Sequence, residues 1–235
     1  MRNILRLCGN ICLVILLITA TGYSEEKFQA GINFALGFPQ NEFKENVDRA
    51  GFGLSGYFLF KLPQTPLLLG VSVSWLEYGR EEREEPLDTI IPDVYVDVKT
   101  SNNILISHFM LRIQPLKGRV RPYIEGLFGF NYLWTETAIE DQDGTDDVAI
   151  ARTVQLDDFA VSYGAGGGFM IKVLRRKKDK QPELFIDLGV RYLKGDRAEY
   201  LKKGSIYEED GEVWYDISES TTDLITAHIG VTFVF

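Results

Sequence analysis

Cysteine is nearly missing from this sequence. Among 235 residues there are two, Cys8 and Cys12, and both sit in the apolar stretch at the start. Once that stretch is removed, no disulfide, no thiolate nucleophile and no cysteine-based zinc site is available. Histidine is almost as scarce, with only His108 and His228. Positive charge is in deficit: 25 Lys and Arg against 34 Asp and Glu give a formal charge of −9. An acidic chain of this kind argues against nucleic acid as a partner. Long apolar runs are missing too. Beyond the first two dozen residues no segment reaches 18 apolar residues in a row, so no membrane helix is expected.

The start of the chain has its own pattern. Met1 to Arg6 carries two positive charges and no negative one, Ile11 to Ala20 is mainly apolar, and Gly22-Tyr23-Ser24 supplies small residues two apart. A basic head, a short apolar middle and a small-residue end are the parts of a secretory signal peptide. The apolar part is shorter than the roughly 20 residues of a membrane helix. We expect residues 1–24 to be a signal peptide cleaved after Ser24, and residues 25–235 to be one domain. Neither Cys8 nor Cys12 suits a lipoprotein anchor, because apolar chain follows each of them.

The rest of the chain alternates with period two, and one parity class is apolar throughout. Ile225, Ala227, Ile229, Val231, Phe233 and Phe235 share one face; Leu224, Thr226, His228, Gly230, Thr232 and Val234 share the other. The same division sets Phe28, Ala30, Ile32, Phe34, Leu36 and Phe38 against Gln29, Gly31, Asn33, Ala35 and Gly37. Ile124, Gly126, Phe128, Phe130, Tyr132 and Trp134 stand likewise against Glu125, Leu127, Gly129, Asn131 and Leu133. A soluble barrel of the lipocalin kind keeps its large apolar groups inside. A transmembrane barrel turns them to lipid and keeps a polar lumen, and the small, polar and charged second face fits that arrangement.

The expected fold is all-β, an eight-stranded antiparallel transmembrane up-and-down β-barrel. Its strands are read at about 27–38, 50–62, 67–79, 102–114, 121–135, 155–174, 183–199 and 222–235, each at least the 9–11 residues needed to cross at a tilt. Short connections near 61–66, 115–119 and 175–182 are rich in proline, glycine and basic residues. Four longer ones, roughly 39–49, 80–101, 136–154 and 200–221, are mostly acidic. Short periplasmic turns and long external loops are the rule for such barrels. All eight prolines are read as lying at or beside connections, where no central ladder bond is lost. The 80–101 segment is open in register, since Val94-Tyr95-Val96-Asp97-Val98 could extend a strand. The run Arg175-Arg176-Lys177-Lys178 is read as a solvated hairpin end.

On these strands, and on the ending His228-Ile229-Gly230-Val231-Thr232-Phe233-Val234-Phe235, the chain resembles the small outer-membrane β-barrel domain of OmpA-like, OmpX-like and opacity-type surface proteins. The resemblance covers the whole chain after the leader. It implies localisation in the cell outer membrane, contact with outer-membrane lipid and lipopolysaccharide, and recognition by the barrel-assembly machinery through Phe233 and Phe235. It brings no OmpA-type periplasmic domain after Phe235 and no catalytic motif. The family's roles run from adhesion and envelope integrity to passage of small solutes.

Eight strands leave a lumen that side chains fill. The alternation places His108, Arg112, Glu125, Lys172, Asp187, Arg191 and His228 inside, with Gly164, Gly166 and Gly168 beside them. Buried charges need partners. A turn centred near Gly118 sets Arg112 opposite Glu125, and the turn after Leu174 sets Lys172 near Asp187. A lumenal charge network is the expected result. The glycine run lacks the Lys-Ser/Thr ending and following helix of a phosphate loop. Trp75, Tyr78, Tyr132 and Trp134 at one end, and Phe60, Tyr123 and Phe235 at the other, are read as aromatic girdles.

Three functions stay open. The first is a non-enzymatic barrel with a plugged lumen, acting in envelope integrity or in binding an extracellular ligand through acidic loops. Arg80 to Glu85 and Glu140 to Asp147 are the most charged of these loops, and 141–146 faintly resembles a calcium loop without its closing Glu. No cofactor and no metal site is expected. The second is a narrow channel for small or hydrophobic solutes, in the manner of OmpW-like barrels. The third is an outer-membrane enzyme, which would need a nucleophile and base near the membrane surface. Ser107 adjoins His108 but points to the opposite side, and no other serine is recognisable beside either histidine.

Overall fold

The computed structural model describes residues 27–63, 65–88, 91–115, 117–141, 149–174, 182–209 and 212–235. The expected leader, most of the acidic stretch after Glu140 and the Arg175–Lys178 run lie outside them. In chain order the elements are β1 (Phe28–Pro39), α1 (Asn41–Asn46), β2 (Gly51–Lys61), β3 (Leu67–Asp88), β4 (Ile91–Ile113), β5 (Val120–Asp141), β6 (Ala149–Leu174) and β7 (Glu183–Gly195). After these come β8 (Arg197–Tyr200), β9 (Ile206–Glu209), β10 (Glu212–Tyr215), β11 (Ser218–Thr221) and β12 (Leu224–Val234).

β1 to β7 and β12 form a closed antiparallel barrel in which each strand pairs with the next and β12 closes on β1. Closure is what a strand with two demanding faces requires, since it leaves no unpaired ladder edge. The seam runs through Phe34 opposite Ile229, and the Lys27 N–H donates to the Phe235 carbonyl at 2.7 Å. Parity holds along β1, β2, β7 and β12 and along the stretches of β3 to β6 between their bulges. The outer wall carries exposed Ile32, Phe109, Ile124, Phe128, Phe159 and Ile229, while Asn33, Ser55, Ser72, Asn131, Thr226 and Thr232 are buried inside. No described helix is long and apolar enough to cross a membrane, which bears only on helices.

Several expected boundaries are corrected. The segment 80–101 is mostly ladder, not loop: β3 and β4 stay paired from Gly79 opposite Asn102 to Pro86 opposite Tyr95. β5 likewise continues to Asp141, opposite Val96. Alternate valines at 94, 96 and 98 favour strand there, and Glu82 stands in register with Lys99. Pro86 and Pro92 therefore lie within strands, Pro86 beside a register shift. The expected strand 183–199 breaks after Gly195, and β8 pairs instead with β11. The last long connection thus contributes two small hairpin layers above the barrel, β8 with β11 and β9 with β10.

The first long connection also folds. Asn41 takes a positive φ of 52°, a conformation asparagine tolerates better than most residues, and opens α1. Phe43 on this helix drops into the barrel mouth, fully buried, edge-on to Tyr78 at 5.8 Å and Tyr200 at 5.2 Å. Asn41 Nδ2 donates to Asp223 Oδ2 at 2.6 Å. At the surface Arg197 joins Glu219 and Glu42, each at 2.9 Å.

Candidate functional site in the barrel lumen

The short-turn half of the lumen holds a network of charged and phenolic side chains. Arg112 on β4 faces Glu125 on β5 in register, as the turn length implied. Its Nε and Nη2 reach Glu125 Oε2 at 3.0 and 2.8 Å. Glu125 Oε1 takes a second guanidinium, Arg191 Nε on β7, at 2.6 Å. Arg112 Nη1 donates to the Tyr57 hydroxyl at 3.1 Å. The guanidinium carbon lies 4.4 Å from the Tyr57 ring centre and 3.9 Å from that of Tyr123, so the cation is held between two aromatic faces.

Asp187 is the second anionic centre. Tyr57 donates to Oδ2 at 2.7 Å, Tyr123 to Oδ1 at 2.8 Å and Thr232 to Oδ2 at 3.3 Å. His228 Nε2 stands 3.1 Å from the Tyr123 hydroxyl. Two guanidinium groups and two carboxylates balance in charge. The side chains of Arg112, Glu125 and Asp187 have no exposed surface. A balanced, hydrogen-bonded group is the form in which buried ions are tolerated; removing one partner would leave the other uncompensated.

The glycines of β6 make room for these groups. A Cβ at Gly166 would meet the Val190 carbonyl and the Arg191 side chain, and one at Gly168 the Leu188 carbonyl and the Tyr123 hydroxyl. One at Gly189 on β7 would meet Tyr123 and His228. Glycine at Gly189 keeps space for those side chains, and at Gly166 and Gly168 it also clears the neighbouring backbone.

The pairing expected for Lys172 is corrected. Met170, not Lys172, stands opposite Asp187, and Lys172 is opposite Phe185. The observed pairing lies two residues from the expected one, with a bulge between Lys172 and Leu174. A two-residue offset preserves parity, so both residues still point inward. Lys172 Nζ binds Glu183 Oε2 at 2.7 Å near the rim, where Arg121 Nη2 also reaches Glu183 at 3.3 Å. Tyr123 and Tyr78, expected in the girdles, are buried inside the barrel.

Above the network His108 Nε2 lies 3.1 Å from Ser162 Oγ, a contact between β4 and β6. Both side chains are buried, and no hydrogen bond from the His108 ring to a carboxylate occurs among the described residues. Asn131 and Thr222 (3.1 Å) and Thr135 and Asn102 (2.8 Å) follow. The mouth is then closed by Leu76, Ile104, Leu133, Leu193 and Phe43.

No family model and no curated protein matches the sequence. Solved structures do. Neisserial surface protein A superposes with a TM-score of 0.37 at 11% identity, over 88% of this chain and 96% of that one. A major outer membrane protein from Thermus thermophilus gives 0.43 at 13%, over 88% and 99%. The outer membrane protein OprG from Pseudomonas aeruginosa gives 0.39 at 13%, over 91% and 98%.

Sequence reasoning named Arg112, Glu125, Asp187, Arg191, His108 and His228 but missed Tyr57, Tyr123 and Thr232 in the network and Ser162 beside His108. The signal for Tyr123 was available, since it shares parity with Glu125. Tyr57 meets Asp187 over 130 residues of chain, and only the closed barrel brings them together.

Proposed function

We propose that this chain spans an outer membrane as a non-conducting barrel and acts through its long-loop face, in envelope integrity or surface binding. One observation carries the proposal. The Arg112, Glu125 and Asp187 side chains have no exposed surface and with Arg191 no net charge, which supports a lumen filled at that level. Eight strands leave little more room than side chains fill. The outward belt of large apolar residues supports a lipid setting, because a monomeric soluble protein rarely exposes apolar patches beyond a few hundred Å². Trp75, Tyr132 and Trp134 on the outer wall near the long-loop end suit an interfacial girdle. Phe233 and Phe235 complete the outer face of the last strand, which suits recognition of that strand during barrel assembly. The buried Ser162–His108 contact does not favour catalysis, for lack of substrate access.

The test is conductance of refolded protein in a planar bilayer, on samples whose gel mobility changes on heating. Silence, or rare brief events, is the expected result. Steady openings altered by Arg112→Met would replace this reading with the narrow-channel one.

A further inference from the structure

The outer wall is not uniformly filled. In register across β2, β3, β4 and β5, one outward row runs Phe60, Leu69, Leu111, Gly126. The row next to it, further from the short turns, runs Phe58, Val71, Phe109, Phe128. Gly126 carries only a hydrogen between Leu111 on β4 and Ala165 on β6, and a Cβ built there would meet nothing within 4 Å. The outcome is an apolar groove of about 710 Å³ bordered by Phe60, Leu69, Phe109, Leu111 and Phe128. That volume lies within the ~300–1,000 Å³ range of small-molecule sites. Phe109, at 72% exposure, is the most exposed of the large apolar side chains.

The edge of this groove is cationic. Lys61 lines it, together with Leu62, and among the described residues no ion pair to Lys61 occurs. The turn joining β4 to β5 carries exposed Lys117 at the same end of the barrel, while Arg119 lines a separate depression with Gly118, Lys172 and Val173. Neither the segment 61–67 nor the segment 113–120 contains an acidic residue, in a chain whose charge is −9 overall. An apolar slot ending at a rim of positive charge without carboxylates is complementary to one kind of molecule, an amphiphile with acyl chains and an anionic head.

We propose that the groove is a retained-phospholipid site: an acyl chain lies in the Gly126 slot, and the phosphate of an anionic phospholipid sits on Lys61 with Lys117 beside it. This rests on the membrane-spanning reading above. It adds to that reading a preferred lipid of the short-turn leaflet. Gly126 is the specificity-determining position, because the slot exists only where the side chain is missing.

The test uses the folded full-length barrel in mixed micelles holding equal phosphatidylethanolamine and phosphatidylglycerol, with bound lipid read by native mass spectrometry. The unaltered chain is expected to retain one phospholipid, mainly phosphatidylglycerol. Gly126→Leu fills the slot from a position with free space and is expected to lose the lipid while keeping its heat-dependent gel shift. Leu111→Trp fills it from β4 and serves if Gly126→Leu does not fold. Lys61→Glu combined with Lys117→Glu is expected to abolish the preference for phosphatidylglycerol. Val190→Phe adds outward bulk on β7 and is expected to retain lipid as before. Equal retention by the slot-filled variants would overturn the proposal, as would the absence of retained lipid from an unaltered barrel that inserts into vesicles. Failure of the unaltered chain to insert into vesicles would instead remove the membrane-spanning reading beneath it.

Discussion

Arg112 and Glu125 face each other across the β4–β5 ladder with Nη2 2.8 Å from Oε2, and neither side chain has any exposed surface. The pair is one half of a balanced set, because Glu125 also holds Arg191 and Arg112 also reaches Tyr57. Arg112→Met and Glu125→Gln are each expected to cost about 3–5 kcal/mol, the range for removing one partner of a buried pair. The double variant is expected to cost much less than their sum. Urea unfolding of the barrel in vesicles measures all three, and additive losses would show that the pair is not coupled.

Lys172 and Asp187 separate the observed register from the one the turn suggested. Lys172 is partly exposed and bound to Glu183, so Lys172→Ala is expected to cost about 1 kcal/mol or less. Asp187→Asn weakens the acceptors for Tyr57, Tyr123 and Thr232. With charged hydrogen bonds at about 1.5–3 kcal/mol each, its loss is expected to reach about 3 kcal/mol or more. Equal effects from the two would favour the Lys172–Asp187 pairing instead.

Gly189→Ala places a methyl group against Tyr123 and His228. Overpacking of this kind costs about 1–3 kcal/mol. If the Tyr123 hydroxyl is the obstacle, the penalty is expected to shrink in a Tyr123→Phe background. The unfolding midpoints of the four proteins decide this, and an unchanged penalty would leave His228 as the sole clash.

Phe43 ties α1 into the mouth by contact with Tyr78 and Tyr200. Phe43→Ala removes a fully buried ring, a change worth about 3–5 kcal/mol in a packed core. The ring anchors a loop, so the expected outcome is local opening: faster tryptic cleavage after Lys44 or Arg49, with the heat-dependent gel shift retained. Unaltered cleavage would mean that the bonds from Asn41 and Glu42 hold the helix without it.

Which residues face outward and which face the lumen was legible from period-two alternation, because a strand has only two faces and here one is apolar and the other largely polar. The eight strands, the polar lumen and the Arg112–Glu125 pair followed, the last because a short turn fixes the register of the hairpin it joins. Lys172 was misplaced by two residues, an offset that keeps both side chains inward, and parity was the signal being read. The lengths of β3, β4 and β5 were not legible, since away from an apolar medium the alternation that marks a strand is no longer required. Thr232 on Asp187 joins the paired strands β7 and β12, and His108 and Ser162 both stand opposite Gly129, but Tyr57 on Asp187 and Phe43 under Tyr200 were decided by the closed barrel. Those contacts join segments distant in the chain. Side chains meet there because the wall curves back on itself, a relationship that neither local spacing nor hairpin geometry encodes. The Gly126 groove belongs with them: the glycine is visible in the sequence, but that Phe60, Leu69 and Leu111 lie beside it is a property of the assembled sheet.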